Sequence, residues 1–179
     1  RISIKSSWKR NTITKKGHLI DMGIFIRGDL YRSTKKYIPN NSSRLLPSNP
    51  FGEDLNIARL LPSYFLEWKF PVVSPNGHTI IEPIVNFTIA PSDKEYFQIP
   101  NEDSIAFELN SANIFFNNRI QGFDRWEYGN RINYGIQISH FWGDRVIKAL
   151  LAQSYRFSDL SFSYTGNGLR KDFSDLIFD

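Results

Sequence analysis

Segments of about ten residues in which apolar and polar side chains alternate recur along this chain, and they constrain its fold more than any other feature. Successive side chains of a strand point to opposite faces, so a period of two describes a strand with one apolar and one polar face. In residues 20–31 the even positions Ile20, Met22, Ile24, Ile26, Gly28 and Leu30 face away from Asp21, Arg27 and Asp29. In residues 130–141, Ile132, Tyr134, Ile136 and Ile138 alternate with Arg131, Asn133, Gly135, Gln137 and Ser139. The same pattern sets Ile2, Ile4 and Trp8 against Ser3, Lys5, Ser7 and Lys9, and Tyr64, Leu66, Trp68 and Phe70 against Ser63, Glu67 and Lys69. Residues 79–89 and 146–157 repeat it less cleanly, so six strands are expected, with a seventh starting near Ser174.

The connections carry a second pattern. Tight turns around Lys16-Gly17, Ser74-Pro75-Asn76-Gly77 and Trp142-Gly143-Asp144 alternate with long polar connections over residues 32–56, 90–127 and 158–173. Nothing in a soluble sandwich requires long connections at every second position, whereas a membrane barrel has short turns at one rim and long loops at the other. Keeping that parity places the short apolar piece at residues 105–109 inside a large outer loop. A soluble barrel buries its apolar face and a membrane barrel exposes it. Alternation by itself leaves both open. Aromatic residues near strand ends (Trp8, Tyr31, Phe70, Phe141, Trp142, Tyr155, Phe157) suit the interfacial girdles of a membrane barrel. Phe25 and Phe65 break the pattern by lying on polar faces, and Pro83, inside a strand paired on both sides, predicts a β-bulge.

Composition removes several classes. The chain has no cysteine, which excludes disulfide scaffolds, zinc ribbons and thiol nucleophiles. Its 22 Lys and Arg against 18 Asp and Glu are spread along the chain, so no nucleic-acid stripe is indicated. With 15% aromatic and 22% charged residues it is not a disordered chain. No apolar run is long enough for a transmembrane helix. The chain opens on Arg1 and not on Met, and is expected to be a fragment or a processed piece.

Catalytic chemistry finds no footing. His18, His78 and His140 fall at separate turns, so neither a triad nor a metal site is expected, and no cofactor. Ser104 and Ser154 lack a nucleophile elbow. The adjacent acids Glu102 and Asp103 point apart on an extended chain and are expected to fold the loop. The most concentrated polar cluster is Asn118-Arg119 with Gly122-Phe123-Asp124-Arg125. Asp124 is expected to pair with Arg119 or Arg125, either as a simple loop anchor or as a lock capping a barrel. A row of polar-face cations, Lys5, Lys9, Arg27, Lys69, Arg131, Lys148 and Arg156, is interspersed with Asp21, Asp29, Glu67 and Glu82, so a mixed solvated wall is expected in preference to a cationic track for phosphates.

A series of words between Leu60 and Asp175 carries a family resemblance. Leu61-Pro62-Ser63 runs into Leu66-Glu67-Trp68-Lys69-Phe70-Pro71, followed by Ile81-Glu82-Pro83 and Ile99-Pro100-Asn101-Glu102-Asp103-Ser104. Phe115-Phe116-Asn117-Asn118-Arg119, Gly122-Phe123-Asp124-Arg125, Glu127, Gly129, Arg131, Tyr134-Gly135, Gln153-Ser154-Tyr155-Arg156, Gly168-Leu169 and Ser174-Asp175 follow in order. This series resembles the middle of the barrel domain of the outer-membrane lipopolysaccharide-assembly family (LptD, also called OstA or organic solvent tolerance protein). The resemblance implies an all-β fold: an antiparallel transmembrane β-barrel segment of about seven strands, an open sector of a much larger barrel. Residues 1–179 would then be part of a C-terminal barrel domain, without the family's N-terminal jelly roll.

The implied function is non-enzymatic transport of lipopolysaccharide into the outer leaflet of the cell outer membrane. The implied partners are lipopolysaccharide, outer-membrane lipid, and a plug lipoprotein and periplasmic bridge proteins reached through the full-length protein; nucleic acid is not among them. The outer-loop motif comprises Pro100, Asn101, Glu102, Asp103, Ser104, Asn118, Arg119, Gly122, Asp124 and Arg125, and the candidate lumen-facing residues are Lys69, Arg131, Gln137 and Arg156. Two alternatives stay open at this point, a self-contained small outer-membrane barrel acting as pore or adhesin, and a soluble ligand-binding β-barrel or sandwich.

Overall fold

The structure, a computed structural model, describes residues 1–33, 54–91, 99, 101–105, 107–157, 169 and 172–179. The described residues are all-β and form eight strands: β1 (Ile2–Ile13), β2 (Leu19–Ser33), β3 (Leu55–Lys69), β4 (Val72–Val73), β5 (Thr79–Ile89), β6 (Arg131–Trp142), β7 (Arg145–Arg156) and β8 (Ile177–Phe178). They form one antiparallel sheet in the order β1-β2-β3-β5-β6-β7-β8, with β4 paired to β5. Apart from the two-residue β4, which continues the line of β3 against β5, each strand lies beside its neighbour in sequence. The sheet is open, since β1 and β8 stand at opposite ends of this order.

Three tight turns lie at one end of the strands. Their glycines Gly17, Gly77 and Gly143 all have positive φ (86°, 75° and 57°), a backbone state that glycine reaches without steric cost. The connections over residues 34–54, 90–130 and 157–176 fall at the other end, so short and long connections alternate as the sequence predicts. Of these, residues 34–53, 92–98, 100, 106, 158–168 and 170–171 lie outside the described residues.

Three strand details differ from the sequence reading. β3 begins at Leu55, not near residue 63, because the neighbouring apolar pair Leu60-Leu61 interrupts the alternation: Leu60 is exposed on one face while Leu61, with Ile57, is buried on the other. The seventh expected strand is the short β8, which starts at Ile177; Ser174 precedes it and bonds instead to Ser154. The bulge predicted at Pro83 does not form. Pro83 pairs with Ile136 in a β5–β6 ladder that runs without a break from Thr79↔His140 to Thr88↔Arg131. On its other side the Phe70 N–H donates to the Pro83 carbonyl at 3.2 Å. In an antiparallel ladder a residue's N–H and C=O point to the same neighbour. The missing N–H of Pro83 therefore faces β3, where the ladder is interrupted between Lys69↔Ile84 and Val72↔Ile81 with no residue inserted. The sheet loses one bond there and keeps its register.

The register brings an apolar row from each long strand to one face. Ile4, Trp8, Met22, Ile26, Leu60, Tyr64, Leu66, Ile81, Ile89, Ile136, Ile138 and Leu151 are all exposed. The opposite face is polar and covered: Arg27, Asp29, Arg59, Ser63, Asn86, Thr88, Arg131, Asn133, Ser154 and Arg156 are buried. The cover is the connection between β5 and β6, which lies across this face. Its own apolar centre consists of Leu109 and Ile114 packed on Leu150 and Ala152 of β7 and on Leu169, with Phe107, Phe115 and Ile177 at the edge.

The two aromatics on the polar face are accounted for in the same way. Phe25 stacks on Trp126 of the insertion, ring centroids 5.3 Å apart and planes 12° from parallel. Phe65 lies opposite Gly23, where a Cβ would sit 2.7 Å from its ring. The glycine leaves room for the ring, the arrangement by which an aromatic covers a cross-strand glycine.

Candidate functional site

The insertion (residues 99–130) is tied to the sheet by two ionic clusters. The first joins it to β1–β3. The carboxylate of Asp103 accepts from the backbone N–H groups of Phe123 and Asp124 at 2.8 and 2.9 Å, and that of Asp124 accepts from Glu102 and Asp103 at 2.7 and 2.9 Å. Each acid thus caps the other's turn. Arg1 bridges them, at 2.8 Å to Asp103 and through an ion pair with Asp124. From the sheet, Arg59 donates to the Phe123 and Asp124 carbonyls and Arg27 to the Phe123 carbonyl. Both guanidiniums are aligned by Asp29, at 2.7 Å from Arg59 Nε and 3.0 Å from Arg27 Nε. Lys5 stands 3.8 Å above the Phe123 ring and Arg27 5.2 Å from that of Trp126.

The second cluster joins the insertion to β6 and β7. Arg131 and Arg156 are direct cross-strand partners, a like-charge pair that is destabilising unless compensated. Glu127 of the insertion supplies the compensation. It pairs with Arg119 and Arg156, and Arg131 Nη2 lies 3.6 Å from Oε2. The Arg119 backbone N–H and Nε add bonds at 3.1 and 2.9 Å, and Asn118 Oδ1 accepts from the Glu127 N–H at 3.0 Å. The side chains of Arg119, Glu127 and Arg131 are all 0% exposed. Arg131 also donates to the Phe116 and Asn117 carbonyls and Arg156 to the Tyr128 carbonyl.

Between the clusters runs a line of one acid, two amides and one hydroxyl. Asn86 donates to Glu67 at 3.3 Å, Asn133 to Asn86 at 3.1 Å and Ser154 to Asn133 at 2.6 Å. Each is a direct register pair, so the line crosses β3, β5, β6 and β7 at one level. Beside it, a cavity of about 530 Å³ opens between the wall and the insertion, lined among others by Lys9, Asp21, Phe25, Glu67 and Trp126.

Burial is the largest single influence on Asp103 and Glu127 and raises the pKa of both, but the opposing effects together outweigh it and leave both below the ordinary carboxylate range. For Asp103 these are the backbone N–H of Phe123, Arg1 and the N–H of Asp124; for Glu127 they are the charges of Arg119 and Arg131, the Arg119 hydrogen bond and the charge of Arg156. A carboxylate depressed on folding contributes stability above its unfolded pKa, and the contribution is lost as pH falls through the folded value. The insertion is therefore expected to resist limited proteolysis equally from about pH 8 to about pH 5, loosening only below about pH 4. Loosening near neutral pH would contradict this assignment.

The outer-loop motif comes together, with one reassignment. Asn101, Glu102, Asp103, Ser104, Gly122 and Asp124 form the first cluster: Asn101 caps Ser104, and the Ser104 hydroxyl accepts from the Arg125 N–H at 2.8 Å. Asn118 and Arg119 belong to the second cluster. Asp124 pairs with Arg1, not with Arg119 or Arg125, because Arg119 is held at the opposite end of the insertion by Glu127 while Arg125 Nη1 reaches the Ile99 carbonyl at 2.7 Å. Pro100 lies outside the described residues. Arg131 and Arg156 sit on the polar face beneath the insertion, Lys69 pairs with Glu67 at 2.8 Å, and Gln137 stands opposite Glu82 on the same face. The His18 ring accepts from Trp68 Nε1 at 3.2 Å, that of His140 lies 2.9 Å from the Thr79 hydroxyl, and the His78 carbonyl accepts from the Phe141 N–H at 2.8 Å. Sequence reasoning missed Arg1 and Arg59, and it missed Glu127 as a hub. The sole signal for that hub was an isolated acid between Arg119, Arg131 and Arg156.

An antiparallel sheet with its apolar side outward, its ionisable side covered and short and long connections alternating defines a sector of a β-barrel wall. The family model of LPS transport system D, LptD, matches residues 1–179, and the chain belongs to this family. It is 26% identical over 140 residues to the LPS-assembly protein LptD of Nitrosomonas europaea, an alignment covering 73% of this chain and 19% of that protein. The chain thus spans about a fifth of the length of that relative. No solved structure matches it.

Proposed function

We propose that this chain is a sector of the outer-membrane barrel of a lipopolysaccharide-assembly protein, part of a C-terminal barrel domain, and that it serves transport of lipopolysaccharide to the outer leaflet without catalysing a reaction. The observation that carries this is the inversion of faces: Ile4 is 72% exposed and Leu66 47%, while Arg131 and Glu127 are fully buried. In water such a surface is unfavourable, and in lipid it is required, with every backbone group paired between strands. The insertion acts as a strut holding the wall's polar side, toward the lumen, at two points. Lipopolysaccharide, outer-membrane lipid, a plug lipoprotein and periplasmic bridge proteins are the partners of the complete protein in this reading. The open order of the sheet favours a sector over a self-contained small barrel.

The test uses the complete protein containing this segment. Leu60→Arg places a charge near the middle of β3 on the outer face and is expected to cost about 2–4 kcal/mol if that face meets lipid. It would appear as a reduced yield of heat-resistant folded protein in the outer membrane. Wild-type yield, or a segment monomeric in buffer without detergent, would overturn the proposal.

A further inference from the structure

The second cluster carries more positive charge than its carboxylate balances. Three guanidiniums, which stay protonated at any ordinary pH, surround Glu127, leaving two positive charges in excess in a place without solvent. Glu127 is also fully subscribed: Oε1 accepts from Arg119 and Arg156, and Oε2 accepts from the Arg119 backbone and Nε while facing Arg131. Four buried donor nitrogens of the same arginines have no partner: Arg119 Nη1, Arg131 Nε and Nη1, and Arg156 Nε. The unpartnered acceptor Asn117 Oδ1 is neutral and has two lone pairs, so it would serve two of them at most and would leave the excess charge uncompensated. Buried donors are almost always satisfied and buried charges compensated, so the arrangement is complete only with a further acceptor that is negative.

We infer that Arg119, Arg131 and Arg156 together bind a small inorganic anion of halide size. An anion supplies what a water molecule lacks, since it accepts from several donors at once and cancels part of the excess charge. The complete burial of Arg119 and Arg131 limits the ligand to a monatomic ion enclosed as the insertion closes on β6 and β7, and excludes a lipid headgroup. The site rests on this geometry and not on the transport role.

The test is thermal unfolding of the complete protein in detergent, in sodium chloride or bromide against sodium gluconate at equal ionic strength, together with bromide anomalous diffraction. Halide is expected to raise the unfolding temperature by a few degrees and saturate, and bromide to give an anomalous peak among the three guanidiniums. Arg131→Gln removes one charge and two of the unpartnered donors, and its unfolding temperature should be the same in halide and gluconate. Equal wild-type stability in both salts, an undiminished halide effect in Arg131→Gln, or water without bromide at the site would overturn the inference. Should Arg131→Gln fail to fold, the wild-type bromide map decides.

Discussion

Replacing Glu127 with Gln is expected to destabilise the folded protein by about 3–5 kcal/mol, the range found when one partner of a buried ion pair is removed. The substitution keeps the side chain's size and some of its hydrogen bonds, so the loss isolates charge. Arg119, Arg131 and Arg156 would be left with no carboxylate among the groups that hold them. The cross-strand pair Arg131↔Arg156 would then repel across the β6–β7 ladder. The denaturant midpoint of the whole protein in detergent measures the effect, with Arg131→Gln as comparison. That second substitution removes a cation from an over-positive cluster and should cost much less. Equal effects of the two would show that Glu127 contributes shape and not charge.

Gly122→Ala is expected to have the next largest effect, about 2–4 kcal/mol, and to act locally. Gly122 has φ of 94°, and a Cβ there would sit 2.4 Å from the Asp103 carbonyl oxygen and 2.7 Å from Ser104 Cα. Both obstacles are backbone, so the insertion must shift to admit the methyl. The shift would pull Phe123 and Asp124 away from Asp103, Arg27 and Arg59. Protease cleavage within residues 99–130 should appear while the strands stay protected. Gly77→Ala is the control: its φ of 75° carries a similar conformational cost, about 1–2 kcal/mol, but no atom lies within 4 Å of the added Cβ. If the two variants behaved alike, the close approach at Gly122 would have no energetic weight.

Much of the fold is legible in the sequence because alternation and turn chemistry are local. Ile132, Tyr134, Ile136 and Ile138 announce their face without reference to any other strand, and Gly17, Gly77 and Gly143 announce the turns. What stayed hidden depends on pairing. Pro83 looked incompatible with a doubly paired strand because nothing local says which neighbour its missing N–H faces. The start of β3 was hidden by Leu60-Leu61, since apolar residues on both faces follow once the insertion covers one of them. The candidate site was legible as a loop motif and illegible as a network. Arg27 and Arg59 reach Phe123 across 96 and 64 residues, and such partners are set by the register of several strands together.

The line through Glu67, Asn86, Asn133 and Ser154 has a consequence for how the wall is assembled. A slip of one residue between strands moves ionisable groups onto the apolar side and is penalised by hydropathy alone. A slip of two preserves the faces, and alternation is blind to it. The polar line is not blind: such a slip would set Asn133 against Thr88 or Ile84 in place of Asn86. Four side chains at a single level thus work as an alignment mark, distinguishing the correct pairing from the error that hydropathy lets through.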